Sequence, residues 1–293
     1  MKKHRSRKVL HILFAVILLI VGIVLYSYLA FQGLIVSHYT LEASVSTSIR
    51  IVHLSDLHNA EFGDGNCDLV MLVADQNPDL ILITGDMLNR DEEDVSVITA
   101  LLPRLADIAP VYYGLGNHEV SWEKTFGRDI TKVLENAGAA VLEAEYLDLE
   151  FKGQQIRLGG LMAYYRQPGM MRTTQGANER QFRFAAEFED TDRYKILLNH
   201  IPTPWVDWGY NNLYPVNLVL SGHYHGGMIY FPLLERGLYA PYVGWFPENV
   251  RGVFEGEKAT CVLSAGLGSE YPLPRIHNNP EIVVVDLIPE GQD

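Results

Sequence analysis

The sequence predicts an α/β fold in which two β-sheets pack together and helices cover their outer faces. In the first half of the chain, apolar runs of strand length alternate with runs that have helical apolar spacing. The second half is richer in strands, and each polar motif directly follows a predicted strand. This alternation is typical of parallel strands covered by helices.

The first half is predicted to follow a β-α-β-α-β order and to end in a third helix. The strands are Ile51–Ser55, Leu80–Thr84 and Val111–Leu115, and the helices are Leu69–Ala74, Val95–Ile108 and Ile130–Ala137. The second half is predicted to contain strands at Val141–Glu143, Tyr146–Phe151, Ile156–Leu161, Lys195–Asn199, Val216–Ser221, Ala259–Ser264 and Glu281–Leu287, with a helix near Glu179–Glu187. Met228–Glu257 is rich in Gly, Pro and aromatic residues, which predicts a structured loop.

The N-terminus has the pattern of a membrane anchor. Five Lys or Arg residues precede an uncharged apolar run at residues 12–31, and the next basic residue is Arg50. A helix of this length spans roughly 30 Å, the hydrocarbon core of a bilayer. We expect a cytoplasmic basic tail (1–11), a transmembrane anchor (12–31), a linker (32–47) and one extracytoplasmic domain (48–293), which places the protein in the cell membrane. A cleaved signal peptide is the alternative.

The charge of the chain restricts its partners. The net charge is −13, and because residues 1–47 contribute +4, the rest of the chain is near −17. Such a surface repels nucleic acid and anionic lipid headgroups, so no nucleic-acid partner is expected. An anionic substrate would need local positive charge, and bound metal ions would supply it.

The two cysteines, Cys67 and Cys261, are too few for a disulfide framework or a zinc–thiolate site. Both lie in or beside apolar runs, which favours buried free thiols. A bridge between them is the alternative in an oxidising compartment.

Polar motifs follow five of the predicted strands. They are Ser55-Asp56-Leu57-His58, Gly85-Asp86, Gly116-Asn117-His118-Glu119, Asn199-His200 and Gly222-His223-Tyr224-His225-Gly226-Gly227. The carboxyl ends of parallel strands are where loops converge on a ligand. Carboxylate, amide and imidazole ligands without thiolate suit hard-to-borderline divalent metals. The motifs therefore predict a metal site, whereas His53 lies inside its strand and is expected to be a core or surface residue.

In this order, the motifs between residues 51 and 227 resemble those of the calcineurin-like metallophosphoesterase superfamily. The tail is similar to its membrane-anchored bacterial branch at Leu238-Tyr239-Ala240-Pro241, Gly266-Leu267-Gly268 and Asn279-Pro280-Glu281-Ile282. The resemblance implies a four-layered αββα sandwich and a hydrolase with two divalent ions (Mn, Fe or Zn) that cleaves phosphate esters by way of a metal-bound hydroxide.

The resemblance also implies a role for each motif residue. One ion would be held by Asp56, His58 and His225, and the other by Asn117, His200 and His223, with Asp86 bridging the two. His118 would act beside the phosphate as proton donor or transition-state stabiliser. The family often has Asp where this chain has Asn89, and in relatives that Asp can orient the catalytic histidine. Asn89 lacks the charge, which leaves the protonation of His118 open.

The substrate is predicted less closely than the reaction. We expect a phosphodiester or pyrophosphate bond in a lipid-linked or envelope-related substrate, because aromatic residues crowd the loop after the last metal motif. Arginines in the segment 164–192 are candidates for a cap over the site. The alternatives are a phosphomonoesterase, a metallohydrolase of amide bonds, and a non-catalytic surface binding module.

Overall fold

The computed structural model describes residues 2–30, 33–162, 165, 175–269 and 275–291. Helix α1 spans Lys2–Ala30. Over these ranges no helix is both long and apolar enough to cross a membrane. The transmembrane anchor predicted over residues 12–31, whose last residue lies outside the described ranges, is not confirmed.

The domain begins with a strand and continues with the predicted alternation of strands and helices. In chain order its first half contains β1 (Ile35–Ala43), β2 (Ile49–Leu54), α2 (Cys67–Asp75), β3 (Leu80–Ile83), α3 (Ser96–Ala106), β4 (Val111–Gly114), α4 (Asn117–Phe126), α5 (Ile130–Asn136) and β5 (Ala140–Leu142). Helix α4, which begins inside the Gly-Asn-His-Glu motif, was not predicted from the sequence.

The second half is strand-rich, as predicted. It contains β6 (Glu145–Phe151), β7 (Gln154–Gly160), α6 (Gln175–Glu189), β8 (Tyr194–Leu198), α7 (Thr203–Val206), β9 (Leu218–Ser221), β10 (Tyr230–Phe231), β11 (Arg236–Gly237), β12 (Tyr239–Ala240), β13 (Gly244–Trp245), β14 (Gly252–Glu255), β15 (Thr260–Leu263) and β16 (Glu281–Pro289).

The longer strands form two six-stranded sheets. The first has the order β1-β16-β2-β3-β4-β5, in which β2 to β5 are parallel and β16 is antiparallel to β2. The second has the order β14-β15-β9-β8-β7-β6, in which β7, β8, β9 and β15 are parallel. In each sheet the carboxyl ends of the parallel strands therefore share one edge.

Three apolar clusters separate the layers of the domain. One packs helices α2 to α5 on the first sheet, a second lies between the sheets, and a third packs α6 and α7 on the second sheet. Strand β2 shows why: Val52 and Leu54 contribute to the first cluster, whereas Ile49 and Ile51 contribute to the second. Because successive side chains of a strand point to opposite faces, a sheet covered on both sides needs apolar residues throughout. The predicted αββα order of layers is present.

The prediction of a linker at residues 32–47 is wrong. Ile35–Ala43 is an edge strand that pairs in parallel with Glu281–Pro289 over nine residues. Tyr39 and Leu41 pack against the cluster between the sheets. The domain therefore begins before residue 48, and removing β1 would uncover β16.

Both cysteines are free thiols, so the alternative of a disulfide is wrong. Cys261 is buried in β15, as predicted, but Cys67 at the start of α2 is only partly buried. The two lie in different layers, since α2 covers the first sheet and β15 belongs to the second.

Candidate metal centre

The structure brings the eight predicted site residues to the edge where the parallel strands end. Asp56 and His58 follow β2, Asp86 follows β3, Asn117 and His118 begin α4 after β4, His200 follows β8, and His223 and His225 follow β9. All of them except Asn117 are at most 5% exposed. The two sheets therefore contribute to one buried polar cluster.

The ligand atoms fall into three overlapping groups, in each of which all atoms lie within 4.8 Å of one another. The groups are Asp56, His58 and His225; His58, Asp86 and His118; and Asp86, His200 and His223. Ligands about 2.0–2.2 Å from one ion lie within about 4.4 Å of each other, so the spacing is close to what an ion needs. His58 belongs to the first and second groups and Asp86 to the second and third, so these two residues link the three groups.

Two buried atoms support the fit to metal ions. Within the described part of the chain, Asn117 Oδ1 and His223 Nε2 are buried and have no hydrogen-bond partner. Buried polar atoms are rarely left without a partner in folded proteins. An amide oxygen and an imidazole nitrogen are ordinary ligands of Mn, Fe or Zn, and both atoms belong to residues predicted as ligands.

Hydrogen bonds fix which nitrogen of His200 is available as a ligand. Its Nδ1 lies 2.7 Å from the carbonyl oxygen of Thr84. A carbonyl only accepts, so Nδ1 carries the proton and donates it. When the ring is neutral, as a metal ligand must be, the lone pair is then on Nε2, which lies 3.0 Å from Asp86 Oδ2. Locking of this kind is how proteins orient metal-binding histidines.

Asn89 locks His58 in the same way. The amide nitrogen of Asn89 donates to Glu92 Oε1 and to the carbonyl of His58, so its oxygen faces His58 Nδ1 at 3.2 Å. His58 Nδ1 is therefore the donor, and Nε2 is on the side of Asp56 Oδ1, 4.0 Å away. The family resemblance implied that an Asp at this position can orient the catalytic histidine. In this chain Asn89 contacts His58, a predicted metal ligand, through its side-chain oxygen.

Arg90 contacts both ring nitrogens of His118. Its backbone N–H donates to Nδ1 at 3.1 Å, and its guanidinium Nη2 lies 2.9 Å from Nε2. The edge of the His118 ring also meets the ring of His58, with centroids 4.5 Å apart. Arg90 was not predicted as a site residue, although its position beside Gly85-Asp86 was a signal for it.

The loops that carry the ligands are held in an uncommon backbone conformation. Five of the predicted ligands have a positive φ: Asp56, His58, Asp86, His223 and His225. This region costs on the order of 1–3 kcal/mol for residues other than Gly and is concentrated at functional sites. The loops stabilise each other, since Asp56 N donates to Gly85 O and His58 N donates to Asp86 O. Gly222 lets them approach, because a Cβ there would lie 2.2 Å from Asp56 Oδ2.

The ionisable groups of the cluster shift one another's pKa values. Burial alone would raise the pKa of the Asp86 carboxyl, but the charge and hydrogen bond of His200 hold that pKa well below its usual range. Burial likewise opposes the charge of His200, but Asp86 outweighs it and raises the pKa of His200 to about 9. The pKa of Asp56 is raised to about 6, first by burial. Burial lowers the pKa values of His223 and His225. Both imidazoles are therefore neutral, the form in which a ring nitrogen can offer its lone pair to a metal ion.

Glu119 is a site residue whose role the sequence did not reveal. Its buried carboxylate accepts hydrogen bonds from the backbone N–H groups of Asp86, Met87 and Gly116 and from the Tyr113 hydroxyl, at 2.7–2.9 Å. The sequence signal for a role of Glu119 in the site was its position in the Gly-Asn-His-Glu motif.

A cavity of about 270 Å³ opens beside the cluster. Its walls are Asp86, Arg90, Asn117, His118, His223, His225, Tyr239, Pro241 and Tyr242. The ring of Tyr242 stacks on that of His223, with centroids 5.1 Å apart. Residues that follow the last metal motif thus line one part of the cavity, and predicted metal ligands line another.

The predicted arginine cap is only partly within the described residues. Arg166 and Arg172 lie outside them. Arg180 donates to Glu143 O and to Glu145 Oε1, both at 2.8 Å, and not to a metal ligand.

The fold and the ligand set are those of a metal-dependent phosphoester hydrolase, and the comparisons agree. The family model for calcineurin-like phosphoesterase matches residues 49–227, and the chain belongs to this family.

Three curated relatives show how far the similarity extends. Metallophosphoesterase YkoQ of Bacillus subtilis (strain 168) is 27% identical, with 80% of this chain and 82% of that protein covered. Phosphodiesterase YaeI of Escherichia coli (strain K12) is 28% identical, with 82% of each chain covered. A metallophosphoesterase of Aquifex aeolicus (strain VF5) is 26% identical, with 91% and 96% covered.

Proposed function

We propose that the protein hydrolyses a phosphodiester or pyrophosphate bond with two divalent metal ions, Mn, Fe or Zn. The observation that carries the proposal is the overlap of the three ligand groups, which are linked through His58 and Asp86. Asp56, His58 and His225 would hold one ion, and Asn117, His200 and His223 would hold the other. When bound, two such ions polarise a phosphate and activate water near neutral pH.

The residues around the ligands have distinct tasks. His118, which is 2% exposed, meets Arg90 at both ring nitrogens: the backbone N–H of Arg90 donates to Nδ1, and the guanidinium Nη2 lies 2.9 Å from Nε2. Nε2 also lies 3.9 Å from Asp86 Oδ2, and because His118 lines the cavity it would act beside the phosphoester as proton donor or transition-state stabiliser. The guanidinium of Arg90 adds a permanent positive charge at the same point, which the acidic surface does not supply.

The proposed substrate is lipid-linked or related to the cell envelope. The cavity has an aromatic wall of Tyr239 and Tyr242, and large apolar side chains are exposed on the same loop. The relative from E. coli is named a phosphodiesterase, which favours a diester over a monoester. The alternative is a phosphomonoesterase, which would cleave p-nitrophenyl phosphate and leave bis(p-nitrophenyl) phosphate intact.

We also propose that the N-terminal segment holds the domain at the cell membrane, with the domain outside the cytoplasm. The support is the uncharged run 12–31 after five basic residues. The large apolar side chains from Ile12 to Tyr26 in α1 are 45–73% exposed. Carbonate extraction of cell membranes should leave the protein in the pellet, and a C-terminal alkaline phosphatase fusion should be active. A protein released by carbonate would contradict the proposal.

The enzymatic proposal is tested with the full chain in detergent, stripped of metal with a chelator. Restoring Mn²⁺ should restore cleavage of bis(p-nitrophenyl) phosphate more than of p-nitrophenyl phosphate. Asp86→Ala should reduce cleavage to the uncatalysed rate, whereas Asp75→Ala on the exposed end of α2 should leave it unchanged.

Three results would contradict parts of the proposal. Activity retained in Asp86→Ala would reject the bridging role of Asp86. Cleavage of the monoester alone would identify a phosphomonoesterase. Failure of plasma mass spectrometry to find metal after reconstitution would favour the non-catalytic binding module.

A further inference from the structure

One surface of the domain concentrates large apolar side chains in solvent. We call it the apolar rim, and it consists of Leu233, Leu234, Tyr242, Val243, Trp245 and Phe246, which are 40–99% exposed. Elsewhere in the described part of the domain such side chains are scattered, for example Met71, Leu147 and Leu213. A concentration of exposed large apolar side chains on one part of a surface is typical of a binding site for protein, membrane or ligand.

The apolar rim belongs to an ordered structure. It lies on two small hairpins, β10–β11 and β12–β13. The backbone N–H of Phe246 donates to Leu238 O at 3.0 Å, and that of Gly237 donates to Pro247 O at 2.9 Å, which ties the hairpins together. The apolar side chains are thus held outward by backbone hydrogen bonds.

The apolar rim borders the metal cavity. Tyr242 belongs to both, because its ring stacks on His223 while the residue is 66% exposed. Pro241 and Tyr239 continue the wall from the cavity to the hairpin β12–β13. Anything bound to the rim would therefore lie next to the metal-ligating histidines.

The N-terminal segment joins the domain at the same edge. Asn279 donates to the carbonyl of Gly33 at 2.9 Å, and the backbone N–H of Ile35 donates to Pro280 O at 2.9 Å. The neighbouring Asn278 donates to His225 O at 2.7 Å and to Met228 O at 3.1 Å. The junction with the apolar segment 12–31 is therefore close to a metal ligand and to the start of the rim loop.

We propose that the apolar rim docks on the surface of a lipid bilayer and turns the metal cavity toward it. This rests on the proposed attachment of the N-terminal segment to a membrane. Trp, Tyr, Phe and Leu at one edge are the residues that enter the interfacial region of a bilayer. A phosphoester in a lipid headgroup would then reach the cavity without leaving the membrane.

The charged residues beside the apolar rim indicate whether it would prefer a neutral or an anionic bilayer. Arg236 forms an ion pair with Glu248, and Glu235 adds a second acidic side chain. No excess of positive charge is present in the rim, so docking relies on apolar burial and not on attraction to anionic lipid. Docking on phosphatidylcholine should therefore be insensitive to salt.

The test places an environment-sensitive fluorophore on the rim of the full chain. The native thiols are removed by Cys67→Ser and Cys261→Ala, and a label is attached to Leu234→Cys. The matched control is Leu213→Cys, because Leu213 is 62% exposed and Leu234 is 61% exposed. Leu213 follows the 3₁₀ turn Tyr210–Asn212 and precedes β9, so it lies at the opposite edge of the sheet.

Both proteins are reconstituted in phosphatidylcholine vesicles with and without doxyl-labelled lipid. The expected result is a shift to shorter wavelength and a loss of emission from the label at position 234 only. Equal quenching at both positions, or none at either, would overturn the proposal. So would a shift that depends on protein concentration and not on lipid, since that indicates a second copy of the chain on the rim.

A parallel assay separates docking from catalysis. Hydrolysis of soluble bis(p-nitrophenyl) phosphate by the same samples reports the proposed function. Quenching specific to position 234 without any metal-dependent hydrolysis would support docking and reject the proposed function. Hydrolysis without quenching would support the proposed function and reject docking.

Discussion

Glu119 accepts the backbone N–H of Asp86 at 2.8 Å, so the residue after His118 positions the Asp86 carboxylate, which belongs to two of the three ligand groups. The same Glu119 oxygen accepts Gly116 N at 2.9 Å, and its other oxygen accepts Met87 N and the Tyr113 hydroxyl. In return, the backbone N–H of His118 donates to Asp86 Oδ1 at 2.7 Å. The segments that follow β3 and β4 are thus joined by hydrogen bonds in both directions, from Asp86 to Glu119 and from His118 to Asp86.

Glu119→Gln should weaken metal binding. A glutamine keeps one acceptor oxygen and turns an NH₂ group toward backbone donors, so it leaves buried donors unsatisfied. Outer-shell partners of this kind are worth about 10–100-fold in metal affinity. We expect a Mn²⁺ affinity lower by that factor in isothermal titration, and stability lower by about 2–3 kcal/mol. The control is Glu123→Gln, one turn later on the exposed face of α4, which should change neither. An unchanged affinity in Glu119→Gln would show that Asp86 is positioned without it.

Asn89→Ala should release the ring of His58. Without the acceptor at Nδ1, the proton can move to Nε2, the nitrogen on the side of Asp56. Affinity for the ion proposed at Asp56, His58 and His225 should then fall about tenfold. Asn89→Asp keeps the acceptor oxygen and should bind metal at least as well as the wild type. Metal titration of the three proteins makes the comparison. Equal affinity in all three would mean that other contacts orient His58.

The clustering of the candidate metal ligands could be predicted from the sequence because each of them belongs to a local motif. Asp56, Asp86, His200 and His223 each come two or three residues after a short apolar strand, and a strand's carboxyl end is where a ligand residue is expected. The order of the layers could also be predicted, because a strand that is apolar throughout, such as β3, must be covered on both faces of its sheet.

The features that the sequence did not predict depend mainly on contacts between distant parts of the chain. Strand β1 is recognisable only through its pairing with β16 at the other end of the sequence. The partners of Glu119 and Asn89 belong to loops that meet only after the sheet has formed. Helix α4 has few apolar residues, so hydrophobic periodicity does not reveal it.

Thr84→Val should interrupt a directed chain of hydrogen bonds that ends at Asp56. The Thr84 hydroxyl donates to Ser55 Oγ at 2.8 Å and therefore accepts from His53 Nε2, also at 2.8 Å. Ser55 in turn hydrogen-bonds to the Asp56 carboxylate.

Valine has the shape of threonine without the hydroxyl, so His53 and Ser55 lose a partner while packing is kept. We expect a loss of about 1–2 kcal/mol in denaturant unfolding and weaker binding of the first metal ion. Thr99→Val is the control, since that hydroxyl donates to the carbonyls of Val95 and Ser96 at the start of α3 and not to a site residue. A stability loss with unchanged metal affinity would show that the chain does not orient Asp56.

His53 should make the stability of the metal-free protein depend on pH. The ring is completely buried, and burial, together with the charge of His200, lowers the pKa of His53 to about 3. The unfolded chain binds a proton at this residue below about pH 6.5, whereas the folded chain does so only near pH 3. The contribution to stability is therefore complete above pH 6.5 and is lost as the pH falls toward 3.

The slope of this loss approaches about 1.4 kcal/mol per pH unit between those values. His53→Leu cannot titrate, so its unfolding free energy in chelator should fall less steeply than that of the wild type from pH 6.5 to pH 4. Thr84→Val is the matched control, because it removes the same hydrogen bond but keeps the imidazole and should retain the wild-type slope. If His53→Leu and the wild type have parallel curves, the acid sensitivity of the core lies in other groups.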